Sequence, residues 1–202
     1  MGVLVLVRHG VTEYNLQKRF TGFTDVPLPP EGQKQAKKVG QQLKKAGYSN
    51  FKLAYTSWLI RSIDTLKIIL KEIDQPDLKV IQHPFLNERH YGSLQGVLHT
   101  DMIARYGEEQ VQIWRRSYAV RPPNGESLRD VVHRTQFYLN DEILPHVKEG
   151  GSVLVCAHGN SNRAMVKQLE NISDEDIVKR EIAWDEPLIY DIDTSGNVKR
   201  LL

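Results

Sequence analysis

The chain has 202 residues, 40% hydrophobic and 26% charged, with 27 Lys and Arg against 25 Asp and Glu for a net charge of +2. That composition suits a globular protein long enough to bury one substantial core, and its even charge points to neither nucleic acid nor a membrane surface as partner. The lone cysteine, Cys156, excludes an internal disulfide; with no apolar run of membrane-span length, and an apolar start that meets Arg8 and His9 too soon for a secretory leader, the expectation is a soluble, cytoplasmic protein.

The first element is "VLVLV" from Val3, whose unbroken aliphatic run predicts a strand buried on both faces. A helix follows in "PEGQKQAKKVGQQLKKAG", with Ala36, Val39, Leu43 and Ala46 at helical spacing, Pro30 in its first turn and Gly47 at its end. Its lysines from Lys34 to Lys45 read as a solvated face. "FKLAYTS" predicts a second strand, and Leu59, Ile63, Leu66, Ile69 or Leu70, and Ile73 a second helix. "LKVIQHP" reads as a third strand, and "HTDMIARYGEEQVQIWRRSYA" as helix broken near Gly107. Ser127 is placed to cap a long helix carrying Leu128, Val131, Tyr138 and Leu139. "SVLVCA" is a fourth strand, followed by a helix from about Asn162, and "PLIYDIDTSGNVKRLL" reads as a closing hairpin. Strands separated by helices predict an α/β protein with a parallel or mixed sheet covered on both faces. No linker or repeat divides residues 1–202, which read as one domain.

The first strand runs into Arg8-His9-Gly10 and the fourth into His158-Gly159. In an open α/β sheet, ligands collect beyond the carboxyl ends of the strands. If the two strands are neighbours, two imidazoles share one crevice. Each His could merely finish its strand, but two in the same local setting argue for a site. A metal centre needs three or four ligands, and beside His9 the chain offers the cation Arg8 instead. The remaining reading is nucleophilic catalysis on an anion: a neutral imidazole attacks phosphorus and holds the phosphoryl group. Such transfer depends on positioning and positive charge. Arg8, and Arg61 just past the second strand, can donate paired hydrogen bonds to phosphate oxygens and keep His9 neutral. The leaving oxygen needs a proton, for which Glu88 in "LNERHYGSLQG" is the richest candidate; its plain alternative is a surface Glu paired with Arg89. On spacing alone, Arg115-Arg116 in "WRRSY" reads as a solvated helix face.

"RHGVTEYN" resembles the signature of the histidine phosphatase superfamily. More narrowly, "FTGFTDVPL", "TSWLIRSIDTL", "LNERHYGSLQG", "YGEEQVQIWRRSY" and "AHGNSNRA" resemble the cofactor-dependent phosphoglycerate mutases, over nearly the whole chain. The resemblance implies a three-layer α/β/α sandwich with a mainly parallel mixed sheet. It implies that His9 is the phosphorylated nucleophile, that Arg8, Arg61, His158 and Asn15 surround the transferred group, and that Glu88 is general acid and base. Thr12, Thr21, Gly22, Tyr91, Arg115, Arg116 and Asn160 would line the substrate, with His99 where the group usually carries a substrate-contacting lysine. The implied reaction interconverts 3-phosphoglycerate and 2-phosphoglycerate through 2,3-bisphosphoglycerate, which also primes His9. It needs no metal and takes small phosphoglycerates as its partners, with a monomer or small homo-oligomer as the assembly. Arg115-Arg116 then gains a purpose, as a second cationic patch for the substrate carboxylate.

The chain departs from that pattern in four places. A neutral His99 grips a carboxylate less well than lysine, while a protonated one partly replaces it. "IAWDEPLIY" places Trp184, Asp185 and Glu186 where the group has small or neutral residues; acids facing the pocket would repel an anionic substrate. "AVRPPNGESL" is short for the family, which bears on assembly. The chain ends at "VKRLL" without the tail many members carry, which predicts a leakier phosphoenzyme that hydrolyses some bisphosphoglycerate. Two rival readings stand beside the mutase: a phosphatase of the same superfamily acting on another small phosphate ester, and a non-catalytic binding module.

Overall fold

The structure, a computed structural model, describes residues 1–202. Strand β1 (Gly2–Arg8) leads through the short helix α1 (Glu13–Leu16) to α2 (Pro30–Lys45). Strand β2 (Leu53–Thr56), helix α3 (Ile60–Glu72) and strand β3 (Val80–Gln82) follow. Helices α4 (His99–Tyr106) and α5 (Glu108–Arg116) come next, then α6 (Leu128–Tyr138) and α7 (Leu144–Lys148). Strand β4 (Ser152–Ala157), helices α8 (Gly159–Leu169) and α9 (Asp174–Ile177), and strands β5 (Leu188–Ile192) and β6 (Val198–Arg200) complete the chain.

The six strands form one sheet in the order β3-β2-β4-β1-β5-β6. The β1–β4, β2–β4 and β2–β3 pairs are parallel, and β5 and β6 join antiparallel at the β1 side. The sheet is thus mainly parallel and mixed, as expected. Period-two alternation sends the strand residues to two cores. Leu4, Leu6, Val153 and Val155 pack with α6, α7 and α8, whereas Val5, Val7, Leu154 and Cys156 pack with α2 and α3. Both faces are therefore covered and the layers are α/β/α. Burial of each aliphatic side chain contributes about 1.5–3 kcal/mol.

Several elements differ from expectation for local reasons. Helix α8 starts at Gly159, three residues early, because extended His158 is its N-cap and donates its N–H to Ser161 Oγ at 3.0 Å; Gly159, Asn160 and Ser161 are weak helix formers that conceal the start. Ser127 does cap α6, in a reciprocal arrangement with Asp130. The regular helix then gives way to a π-type turn at Leu139–Ile143 just ahead of Pro145, whose ring cannot continue the ordinary hydrogen-bond ladder. Ile63 is only half-buried and Ala46 is exposed; on α3 the buried face instead runs through Arg61, Ser62 and Thr65. The break at Gly107, with φ of 81°, separates α4 from α5 as expected. No helix is long and apolar enough to cross a membrane.

Above the carboxyl ends of β1, β4 and β2, a third cluster of Phe20, Leu94, Met102, Val111 and Trp114 ties the segment after α1 to helices α4 and α5. An isolated bridge between Arg19 and Leu98 joins the same parts. This wall encloses the space beyond the strand ends.

Candidate active site

Neighbouring parallel strands carry the two histidines to one place. Arg8 and Ala157 are register partners, and the His9 N–H donates to Ala157 O at 2.9 Å. The imidazoles lie with centroids 4.9 Å apart. Gly10 lets the chain turn off β1 against α2: a Cβ there would lie 2.2 Å from Gly32 O.

His9 Nδ1 lies 2.7 Å from Gly10 O. A carbonyl can only accept, so Nδ1 carries the proton and Nε2 keeps its lone pair. Burial, then the cations Arg61 and Arg8, hold His9 well below the ordinary histidine pKa. The ring is therefore neutral with one nucleophilic nitrogen. His158 is fully buried and not on the cavity wall; its Nε2 meets Ser57 Oγ at 2.7 Å, and its Nδ1 has no protein partner. Ser57 is 2.6 Å from Ser62 Oγ, which Thr56 Oγ1 also reaches at 3.1 Å. This hydroxyl cluster on β2 and α3 sets the ring of His158. Burial first, then Arg61 and His9, keep His158 neutral as well.

Arg61 is buried, and it is fixed by bonds to Gly22 O at 2.7 Å and Thr24 O at 3.0 Å. Gly22 presents that carbonyl from a φ of +52°, a conformation other residues resist. Arg8 donates to Ile182 O at 2.8 Å and lies 4.2 Å over the Trp184 ring. Burial lowers both guanidiniums to a pKa of about 10, so each stays charged at neutral pH. The Nε atoms of both, and Thr21 Oγ1, are buried without a protein partner. Such orphaned donors fit an anionic ligand.

Glu88 is buried, and its partner is not the Arg89 side chain, contrary to the plain alternative. The Arg89 guanidinium instead bonds Glu126 O and Trp114 O. Glu88 Oε1 accepts from Arg89 N at 2.8 Å, Asn160 N at 3.1 Å and Asn160 Nδ2 at 2.9 Å, leaving Oε2 free of these bonds. Burial pushes its pKa up, but those donors with Arg61 and Arg8 outweigh it, and the net shift is downward. Arg134 braces the same loop through Phe85 O, Asn87 O and Glu88 O.

A cavity of about 530 Å³ opens over these groups. Its wall includes His9, Arg8, Arg61 and Glu88, together with Asn15, Thr21, Gly22, Tyr91, His99, Arg115, Arg116 and Asn160 from the expected set. Thr12 is absent from the wall. It is buried, and its N–H and hydroxyl both donate to Asn15 Oδ1, which leaves the Asn15 amide NH₂ for the cavity. The pair Arg115-Arg116 faces the cavity rather than bulk solvent, against its reading from spacing alone. His99 stacks edge-on to Phe20 at 4.4 Å, and burial, then Arg115, Lys18 and Arg116, push its pKa down to about 4, so it is neutral.

Sequence reasoning missed Lys18, Arg163 and Glu181 on the wall. Arg163 sits one helical turn after Asn160, a spacing that would have found it. Asp185 and Glu186 do not face the pocket: Asp185 pairs with Lys38 at 2.6 Å, and Glu186 stands by a separate surface groove near Leu202. The acid on the wall is Glu181.

Donor atoms of His9, Glu88 and His158 come within 4.8 Å of one another, close enough for a metal. Arg8 and Arg61 make the spot strongly positive, and His9 Nδ1 and His158 Nε2 already have partners, so the group suits an anion better than a divalent cation.

A neutral, tautomer-fixed imidazole between buried guanidiniums at the carboxyl ends of a mainly parallel sheet has the charge and geometry to receive a phosphoryl group. The chain belongs to the histidine phosphatase superfamily (branch 1), whose model matches residues 4–201. Within it, the chain is 48% identical over 200 residues to the 2,3-bisphosphoglycerate-dependent phosphoglycerate mutase of Bradyrhizobium sp. (strain ORS 278), covering 99% of this chain and 96% of that one. It is 47% identical over 194 residues to the phosphoglycerate mutase of Schizosaccharomyces pombe, covering 96% and 92%. Among solved structures it resembles mycobacterial hydrolase 1 (TM-score 0.85, 24% identity, 100% and 98% covered). It also resembles a mycobacterial glucosyl-3-phosphoglycerate phosphatase complexed with VO3 (TM-score 0.82, 25% identity, 100% and 98% covered).

Proposed function

We propose that this protein is a 2,3-bisphosphoglycerate-dependent phosphoglycerate mutase that interconverts 3- and 2-phosphoglycerate, as the names of its relatives suggest. The observation that carries the reading is the His9 ring: buried, neutral, and fixed by Gly10 O with Nε2 free, between Arg8 and Arg61. When bound, 2,3-bisphosphoglycerate supplies the phosphoryl group that primes the enzyme, and Arg8, Arg61 and the Asn15 NH₂ suit its oxygens.

In the charged enzyme, phosphorus is bonded to His9 Nε2. A substrate hydroxyl attacks it, Glu88 takes the hydroxyl proton, the P–O bond forms, and the P–N bond breaks and returns its electron pair to Nε2. The depressed pKa of Glu88 keeps it ionised for this direction. In the reverse direction Glu88 returns that proton to the leaving oxygen, and the phosphate's negative charge beside it favours the protonated carboxyl. The two guanidiniums hold the equatorial oxygens, and His158, set by Ser57, packs behind them against the His9 ring. Arg115 and Arg116 hold the carboxylate end while the bisphosphorylated species turns around. No metal takes part. We place the protein in the cytoplasm, consistent with its buried, unpaired Cys156.

Two observations favour a phosphatase as the second reading: Glu181 and a neutral His99 each weaken the grip on a carboxylate. A coupled assay for 2-phosphoglycerate, with bisphosphoglycerate titrated in, separates the two. The mutase reading expects cofactor-dependent isomerisation; inorganic phosphate released without isomerisation supports the phosphatase.

A further inference from the structure

Of the cations on the cavity wall, Arg116 and Arg163 alone pair with a carboxylate of the protein. Glu181 Oε1 lies 2.9 Å from Arg116 NH1, and its Oε2 lies 3.2 Å from Arg163 NH2. The main chain on both sides of Glu181 is bonded: Arg180 O accepts from Arg163 Nε, and Ile182 O accepts from Arg8 NH1. The side chain itself is 65% exposed and lies along the cavity wall. Next to it, Arg115 makes no ion pair or side-chain hydrogen bond within the protein. A carboxylate is thus held, by fixed main chain, against the arginines expected to receive the ligand's far end.

A negative group at that place opposes every anionic ligand, and the opposition grows with the ligand's charge. We propose that Glu181 is a specificity-determining residue, a resident counter-ion of Arg116 and Arg163 that the ligand must displace and that biases the pocket against doubly phosphorylated glycerate relative to singly phosphorylated glycerate. The inference rests on the mutase reading for its ligands. It concerns binding, since neither Glu181 oxygen bonds His9, Glu88 or Arg61.

The test is Glu181→Gln, which keeps length and hydrogen-bonding capacity while removing charge, with Glu181→Ala as a second variant. The expected result is a KM for 3-phosphoglycerate lowered about two- to fivefold, and a half-saturating bisphosphoglycerate concentration lowered by at least about twofold more. Turnover should stay within about twofold. Values unmoved or raised in both variants overturn the proposal, and equal factors for the two ligands overturn the discrimination. Sulfate, read by its protection against thermal unfolding, gives an arm free of the mutase reading. If wild-type protein forms no 2-phosphoglycerate, that reading fails. Glu181→Gln should still lower the half-protecting sulfate concentration, and no change there defeats the counter-ion itself.

Discussion

The rings of His9 and His158 meet with centroids 4.9 Å apart and planes inclined at 56°, each ending one of two adjacent parallel strands. The pairing of β1 with β4 sets that relationship, so the fold itself brings the two imidazoles to one place. Their roles differ because their partners differ. His9 Nδ1 donates to main chain, whereas His158 Nε2 meets a hydroxyl.

Ser57 fixes His158 without lining the cavity. We expect Ser57→Ala to lower kcat about tenfold and leave KM nearly unchanged, with a stability cost of about 1–3 kcal/mol for the buried partners left unpaired. Steady-state kinetics and urea unfolding check both. A change in KM alone would place Ser57 in ground-state binding instead.

Trp184 supports Arg8 from 4.2 Å. Loss of that ring in Trp184→Ala should lower kcat about three- to tenfold, and Trp184→Phe should recover most of it, because a phenyl face still attracts a guanidinium. Equal losses in the two variants would show that the support is not the aromatic face.

Glu88→Gln retains the bonds from Arg89 N and from Asn160 to Oε1 but removes the proton acceptor. Turnover should fall about 10²- to 10⁴-fold with KM within about threefold. Pre-steady-state decay of phosphorylated His9 on mixing with 3-phosphoglycerate gives the direct reading. A loss confined to KM would contradict the role.

Stability should fall in acid. Both buried imidazoles are held below the ordinary value of 6.5. Below that pH the unfolded chain binds protons that the native state refuses, so unfolding free energy decreases by up to about 1.4 kcal/mol per pH unit for each ring. Glu88, depressed from 4.5, acts in the same sense at lower pH: its stabilisation is present above 4.5 and is lost as pH falls through its folded value. Urea titrations between pH 7 and 5 should show the slope, and His158→Asn should make it shallower. An unchanged slope in that variant would assign the acid sensitivity elsewhere.

Much of this was legible in the chain. Unbroken aliphatic runs marked β1 and β4, and a His-Gly pair after each marked the end where ligands collect. Arg61 was legible because it closely follows a strand. Glu181 was not: it lies in a turn-rich segment without periodicity, and its place on the wall depends on main-chain bonds from Arg163 and Arg8, residues distant in sequence. Thr12 misled for a related reason. Its place in the signature suggested ligand contact, while its hydroxyl serves Asn15. Helix α8 was read as starting late because a capping His and weak helix formers open it.

The most direct test of phosphohistidine formation is transfer of labelled phosphate from 2,3-bisphosphoglycerate to the protein, followed by mapping of the acid-labile, base-stable adduct. We expect one label, on His9, discharged by 3-phosphoglycerate and absent from His9→Ala. Undiminished labelling of His9→Ala, or full isomerase activity in that variant, would contradict the account.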